Sequence, residues 1–400
     1  MRNRRCAGWL FVLVPACFHP SYDHPTCGPN GECPSGLTCS PQRVCEGEGA
    51  SDSGTPDVTD GTPDAASRCF GSFDVVCFNT LADLPKAPVI LTEDLTIDTG
   101  SSTMCDQHND QMTRYCVVAG AGFTLSAFTT IRAYGTKPLI LLSASTMTLQ
   151  GASTIDVRST SAADPHPTGA DANPTACISG TPPEMAGGGY GGSLGGKGGD
   201  GERLTGAAPT SGVAVAALPS PPTQLRGGCP GGNGDKTGGL GGSGGGAVEL
   251  IAAMSIQLDG TINASGAGGH GGPATQSGGG GGGSGGMIVL DAPSITAGDP
   301  LFANGGSGGQ GGAGTGTGMG IGADGGESPD PPTQAPAGSN GGRDGGFGGT
   351  GSSGTRLPGN NGGIPATAQN DGGGGGGGGG AGFIRAHGVT VNIAPPSFVP

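Results

Sequence analysis

Aromatic residues make up only 4% of this 400-residue chain, and charged residues 12%. A core with so few rings has to be thin and aliphatic. Lys and Arg number 17 against 31 Asp and Glu, for a net charge of −14. That balance argues against nucleic acid as a partner and against capture by anionic lipid. The apolar run at residues 6–16 is too short to span a bilayer. The evenly spaced Cys27, Cys33, Cys39 and Cys45 lack the close pairs of a zinc knuckle. No Ser/His/Asp constellation stands out. Gly-x-Gly-x-x-Gly strings occur trivially, without the strand–turn–helix context that nucleotide binding requires.

What the chain does have is glycine, 91 residues of it, and a period. Every eighth position from Tyr115 is apolar: Tyr115, Phe123, Ile131, Leu139, Met147 and Ile155. Two residues on, Val117, Leu125, Ala133, Leu141, Leu149 and Val157 repeat the pattern. Alternation within a fixed longer period is a strand signal. Three such steps make about 24 residues, one coil of a triangular repeat. Interrupted copies follow at Val248–Ala264, Ile288–Ala303 and Ile384–Val391, and Val89, Leu91, Leu95 and Ile97 supply a first coil. The fold expected is all-β, a right-handed parallel β-helix (solenoid) with inward Leu141, Leu250 and Leu290 in one column. Unrelated hairpins in low-complexity sequence are the alternative. Glycine-rich excursions at 158–247, 265–287 and 304–382 would all leave one corner, after the third strand.

Residues 1–16 have a basic start at Arg2, Arg4 and Arg5, then the apolar run. The ending Val14-Pro15-Ala16-Cys17 resembles a bacterial lipobox, although Leu is usual where Val14 stands and Pro15 is atypical. The resemblance implies lipidation of Cys17, and Phe18 after it favours the outer membrane. The alternative is an ordinary secretory signal with Cys17 incidental. Residues 17–45 form a Cys-rich module, read as two disulfides among Cys27, Cys33, Cys39 and Cys45 with the pairing open. The run from Cys27 to Cys39 resembles the stalk modules of myxobacterial-type glycine-rich surface lipoproteins. Residues 46–67, acidic and without a base, read as a disordered linker. The folded part covers 68–400, where Cys69–Cys77, Cys105–Cys116 and Cys177–Cys229 are the expected bonds.

The excursions read either as flexible linkers or as extended, stacked glycine strands. Gly-Gly-x triplets over 238–246 and 305–313 have the three-residue period of the polyproline II conformation. A bond between Cys177 and Cys229 also favours order. The oligo-glycine run 372–380 is the part expected to stay mobile. The composition resembles that called PGRS-like, without the Pro-Glu domain at the N-terminus. Stacked arms would expose backbone amides and carbonyls to hydrated polymers.

Hidden chemistry has few candidates. Gly195–Asp200 and Gly231–Asp235 approach the calcium-binding Gly-Gly-x-Gly-x-Asp repeat, but each departs from it and no tandem array exists. Gly269-His270-Gly271 resembles one polygalacturonase motif, without its Asp pair or Arg-x-Lys partner. The coil strands carry few acids: Asp156, Glu249, Asp259 and Asp291. No cofactor or metal site is expected. The reading is a non-enzymatic, lipid-anchored cell-surface protein, structural or adhesive, with extracellular polysaccharide or surface proteins as partners. The alternatives are a polysaccharide-degrading β-helix enzyme and a weak calcium-dependent glycan-binding module. Solvent-facing Thr ladders, hinted at by Thr146, Thr148 and Thr154, would favour a polymer-binding module.

Overall fold

A computed structural model describes residues 37–39, 45–47, 68–161, 165–203, 210–235, 237–274, 276–314, 320–327, 344–365 and 372–393. The chain divides into two compact units, 1–64 and 65–400. In the first, β1 (Leu37–Cys39) and β2 (Cys45–Gly47) pair antiparallel, with Cys39 opposite Cys45. Paired backbone therefore runs two residues into the stretch read as linker. Cys17, Cys27, Cys33 and the side chains of Cys39 and Cys45 lie outside the described residues.

The second unit opens with a hairpin, β3 (Arg68–Phe70) and β4 (Val76–Phe78), closed by Cys69–Cys77. The strands that follow are β5 (Val89–Leu91), β6 (Leu95–Asp98), β7 (Cys116–Gly120), β8 (Phe123–Leu125), β9 (Thr130–Tyr134), β10 (Leu139–Ser143), β11 (Thr146–Leu149), β12 (Thr154–Asp156), β13 (Ala247–Ala252), β14 (Ser255–Leu258), β15 (Thr261–Asn263), β16 (Met287–Asp291), β17 (Ser294–Ala297), β18 (Leu301–Phe302), β19 (Phe383–His387) and β20 (Thr390–Ile393). They form three parallel sheets. The first orders β7-β10-β13-β16-β19, the second β5-β8-β11-β14-β17-β20, the third β6-β9-β12-β15-β18. Consecutive strands thus visit the sheets in rotation. All three long glycine-rich segments, after β12, β15 and β18, connect the third sheet to the next strand of the first.

Inward side chains stack strand on strand. Val118, Leu141, Leu250, Leu290 and Ala386 form one column. Phe123, Met147, Ile256 and Ile295 form a second, and Ile131, Ile155, Ile262 and Leu301 a third. Together they make one continuous aliphatic core. Each turn adds its share by packing on its neighbours, so the scarcity of rings is no handicap. Corners are short and capped by hydroxyls: Ser143 Oγ donates to the Thr146 carbonyl and Ser145 Oγ to that of Ala121.

The eight-residue pattern misplaces one strand. In β7 the inward residues are Cys116 and Val118, paired with Leu139 and Leu141, while Tyr115 and Val117 lie in a second cluster on the outer side. The first sheet is covered on both faces, its outer side packing against Val76, Phe78, Leu194 and Leu225. A two-sided apolar strand carries no sign of which face is which.

Candidate functional site

The described residues of the glycine-rich segments are ordered, and their hydrogen bonds show how. In residues 279–286 each successive N–H points to a different neighbour. Gly279, Gly282 and Gly285 donate to Gly374, Gly377 and Gly380; Gly280, Gly283 and Gly286 donate to His270, Ala267 and Ala264; Gly281 and Ser284 donate to Gly232 and Cys229. Their carbonyls accept from three further segments, for instance from Gly189, Gly242 and Gly309. This threefold rotation is that of a polyproline II-type helix, here with six neighbours. The run 372–382 repeats the arrangement. Gly373, Gly374 and Gly375 donate to Gly312, Ala186 and Gly363, and the cycle recurs every third residue up to Gly382.

Glycine is needed here for closeness. A Cβ on Gly282 would overlap the Gly306 carbonyl, and one on Gly376 that of Gly280. Among the described glycines only Gly71, Gly135 and Gly354 have positive φ, so left-handed freedom is not what the bundle uses. The run 372–380, expected to be mobile, lies at the centre of the packing with no side chain to hold neighbours away. In the Gly-Gly-x segment 238–246 Leu240 turns outward, 62% exposed, whereas Ser307 and Gln310 of the segment 305–313 are buried. Where a neighbour is missing a side chain replaces it: Asn233 and Asn173 Oδ1 accept from Gly241 and Gly244, and Ser284 Oγ accepts from Cys229 N. Many of the bundle's inner amides are therefore consumed within it. Cys177–Cys229 ties this region together, and Cys105–Cys116 closes the loop before β7.

The outer face of the second sheet is different. Its register lines up Ile90, Thr124, Thr148, Gln257, Thr296 and Asn392 in one file, polar from Thr124 onward. Thr146, Ser255, Ser294 and Thr390 form a second. All are exposed or half-buried, and neither file contains a charged residue. Parallel strands stand about 4.8 Å apart and alternate residues about 6.6 Å along a strand, so hydroxyls and amides repeat on a regular grid. Thr146 and Thr148 sit in these files, whereas Thr154 belongs to the third sheet with Thr130 and Thr261. The signal was the recurring polar–apolar–polar triplet Thr-Met-Thr, Ser-Ile-Gln, Ser-Ile-Thr and Thr-Val-Asn at the second strand of successive turns. Phe128, which sequence reasoning passed over, stands in the turn after β8, 83% exposed with φ +63°. Gln150 Oε1 accepts from Ala127 N beside it.

The acids expected on the coils are structurally engaged. Asp156 pairs with Arg132 at 3.5 Å and Arg158 at 3.2 Å. Asp259 accepts from Gln257 Nε2. Asp291 accepts from Ser72 N, Ser72 Oγ and Phe73 N, pinning the hairpin to the first sheet. Asp74 fixes the same hairpin through the Tyr115 hydroxyl and Leu225 N. Glu249 lies beneath, fully buried, and neither of its carboxyl oxygens makes a well-formed hydrogen bond among the described residues. Burial, then the Asp74 and Asp291 carboxylates, push its pKa well up. His270 belongs to the glycine bundle, its Nδ1 3.5 Å from Asp324. Asp200 pairs with Lys197 and accepts from Ala214 N, and Asp235 accepts from Ala186 N. Among the described residues no group of three His, Cys, Asp or Glu side chains is placed to hold a metal ion, and no helix is long and apolar enough to cross a membrane. Comparison with family models, curated proteins and solved structures finds no match.

Proposed function

We propose that this chain is an exported structural or adhesive protein of the outer membrane or cell surface. In this reading it is anchored by lipid on Cys17 and binds matrix polysaccharide or neighbouring cell surfaces without turning them over. The stacked sheets are read as a right-handed parallel β-helix whose glycine-rich excursions leave one corner and pack into a bracing layer. The rotation of the chain through three parallel sheets supports this, as does the common departure point of the excursions. Three disulfides suit an oxidising compartment.

The observation that carries the function is the uncharged grid of hydroxyl and amide side chains on the second sheet, left open while the first sheet is covered on its outer side. A surface with fixed, regularly spaced donors and acceptors suits an extended polymer and supplies no catalytic pair. The test uses cells producing the full chain. Adhesion to extracted matrix is expected with wild type, and Cys17→Ser should shed the protein into the medium and abolish adhesion. Adhesion equal to that of cells lacking the chain, or matrix depolymerised by the purified protein, would contradict the reading.

A further inference from the structure

Phe128 is anomalous twice over. A bulky residue at φ +63° pays a backbone cost that glycine would avoid. Its ring is also 83% exposed, so burial gives nothing back. It stands in the turn after β8, where that strand leaves the second sheet, while the file containing Thr124 and Thr148 runs on to Ile90 of the edge strand β5. From Thr124 onward the files consist of Thr, Ser, Gln and Asn, side chains that donate and accept at once, as sugar hydroxyls do; the exposed Ile90 ends one of them. An acidic polymer would find no cation there and would meet a chain of net charge −14.

We propose that the outer face of the second sheet, with Phe128 at its edge, docks an uncharged, extended glycan chain: the Phe128 ring stacks on the CH face of one sugar, and the two files hydrogen-bond the hydroxyls of the sugars beyond it. This rests on the adhesive reading above and names its ligand class. The grid matches a polymer lying across the strands, so that successive sugars meet Thr148, Gln257 and Thr296 in turn. The negative face of an aromatic ring suits the CH groups of a sugar.

The experiment is affinity electrophoresis of the full chain through gels containing hydroxyethylcellulose, dextran or alginate, with Phe128→Gly, Thr148→Glu and Thr296→Glu beside the wild type. Retardation by a neutral glucan and not by alginate is expected. Each variant should weaken it at least tenfold. Phe128→Gly is the decisive one, because it relieves the φ strain and should raise the melting temperature while lowering affinity, a pattern that loss of structure cannot produce. Unchanged retardation of the variants would overturn the proposal, as would retardation by alginate alone. Sedimentation showing a dimer that Thr148→Glu dissociates would also overturn it, since a second copy would then cover the face. Failure of glucan binding with cell adhesion intact would sink this ligand class and leave the adhesive reading standing, whereas loss of both would remove that reading too.

Discussion

At the scale of single residues the molecule depends on atoms that are absent. Gly282 donates to Gly377 while the position of its missing Cβ is filled by the Gly306 carbonyl. Gly282→Ala should therefore cost at least the roughly 1–3 kcal/mol of overpacking, read as a lower urea midpoint for the bundle. Leu240→Ala, at an outward x position, should stay within about 0.5 kcal/mol of wild type. Glu249 makes the opposite kind of prediction. The unfolded chain loses its proton near the ordinary value of 4.5, whereas the folded chain keeps it to higher pH because ionisation would bury a charge beside Asp74 and Asp291. Folding is thus favoured by this group below pH 4.5, and its stability falls as pH rises toward the raised folded value. Each unit of that rise weakens folding by about 1.4 kcal/mol once it is passed. Glu249→Gln should melt higher than wild type at pH 8 and nearly the same at pH 4. Equal melting curves at pH 8 would show that Glu249 is ionised without penalty.

At the scale of elements the inward columns carry the fold. Leu250 lies between Leu141 and Leu290 and is fully buried. Leu250→Ala should cost about 2–5 kcal/mol, measured by denaturant unfolding. A loss below about 1 kcal/mol would mean that the column does not bear on stability. These columns were legible in the sequence because the second and third sheets bury one face, so apolar and polar residues alternate along β11 or β14. The first sheet hid its register, since Ile140, Leu142, Val289 and Ile251 are as apolar as the residues facing inward. The excursion boundaries after β15 and β18 were also legible, from the abrupt change to glycine at Gly266 and Gly305, whereas after β12 glycine becomes dense only from Gly187. Two things were not. That oligo-glycine would be central follows from six-neighbour packing, which no local pattern expresses. That Phe128 would be exposed and strained depends on a turn whose sequence, Ser-Ala-Phe-Thr, carries no glycine to announce it.

At the scale of the whole second unit, glycine-rich segments distant in sequence form one packed body. Residues 278–286 belong to the second excursion but bond to segments of the first and third. The excursions are therefore not independent arms that can be trimmed singly. Replacing residues 265–286 with a short turn should leave the aliphatic core folded while opening 187–246 and 303–382 to proteolysis together. Cleavage confined to the site of replacement would show that the other segments hold themselves.

The glycine runs are packed structure, and the polymer binding proposed above falls to the open face of the second sheet. Amide hydrogen exchange on the full chain tests that packing most directly. Residues 279–286 and 373–382 are expected to exchange as slowly as β13 and β16, because their N–H groups are bonded to neighbouring carbonyls and enclosed on all sides. Complete exchange of those glycine amides within the mixing time, with β13 and β16 still protected, would contradict it.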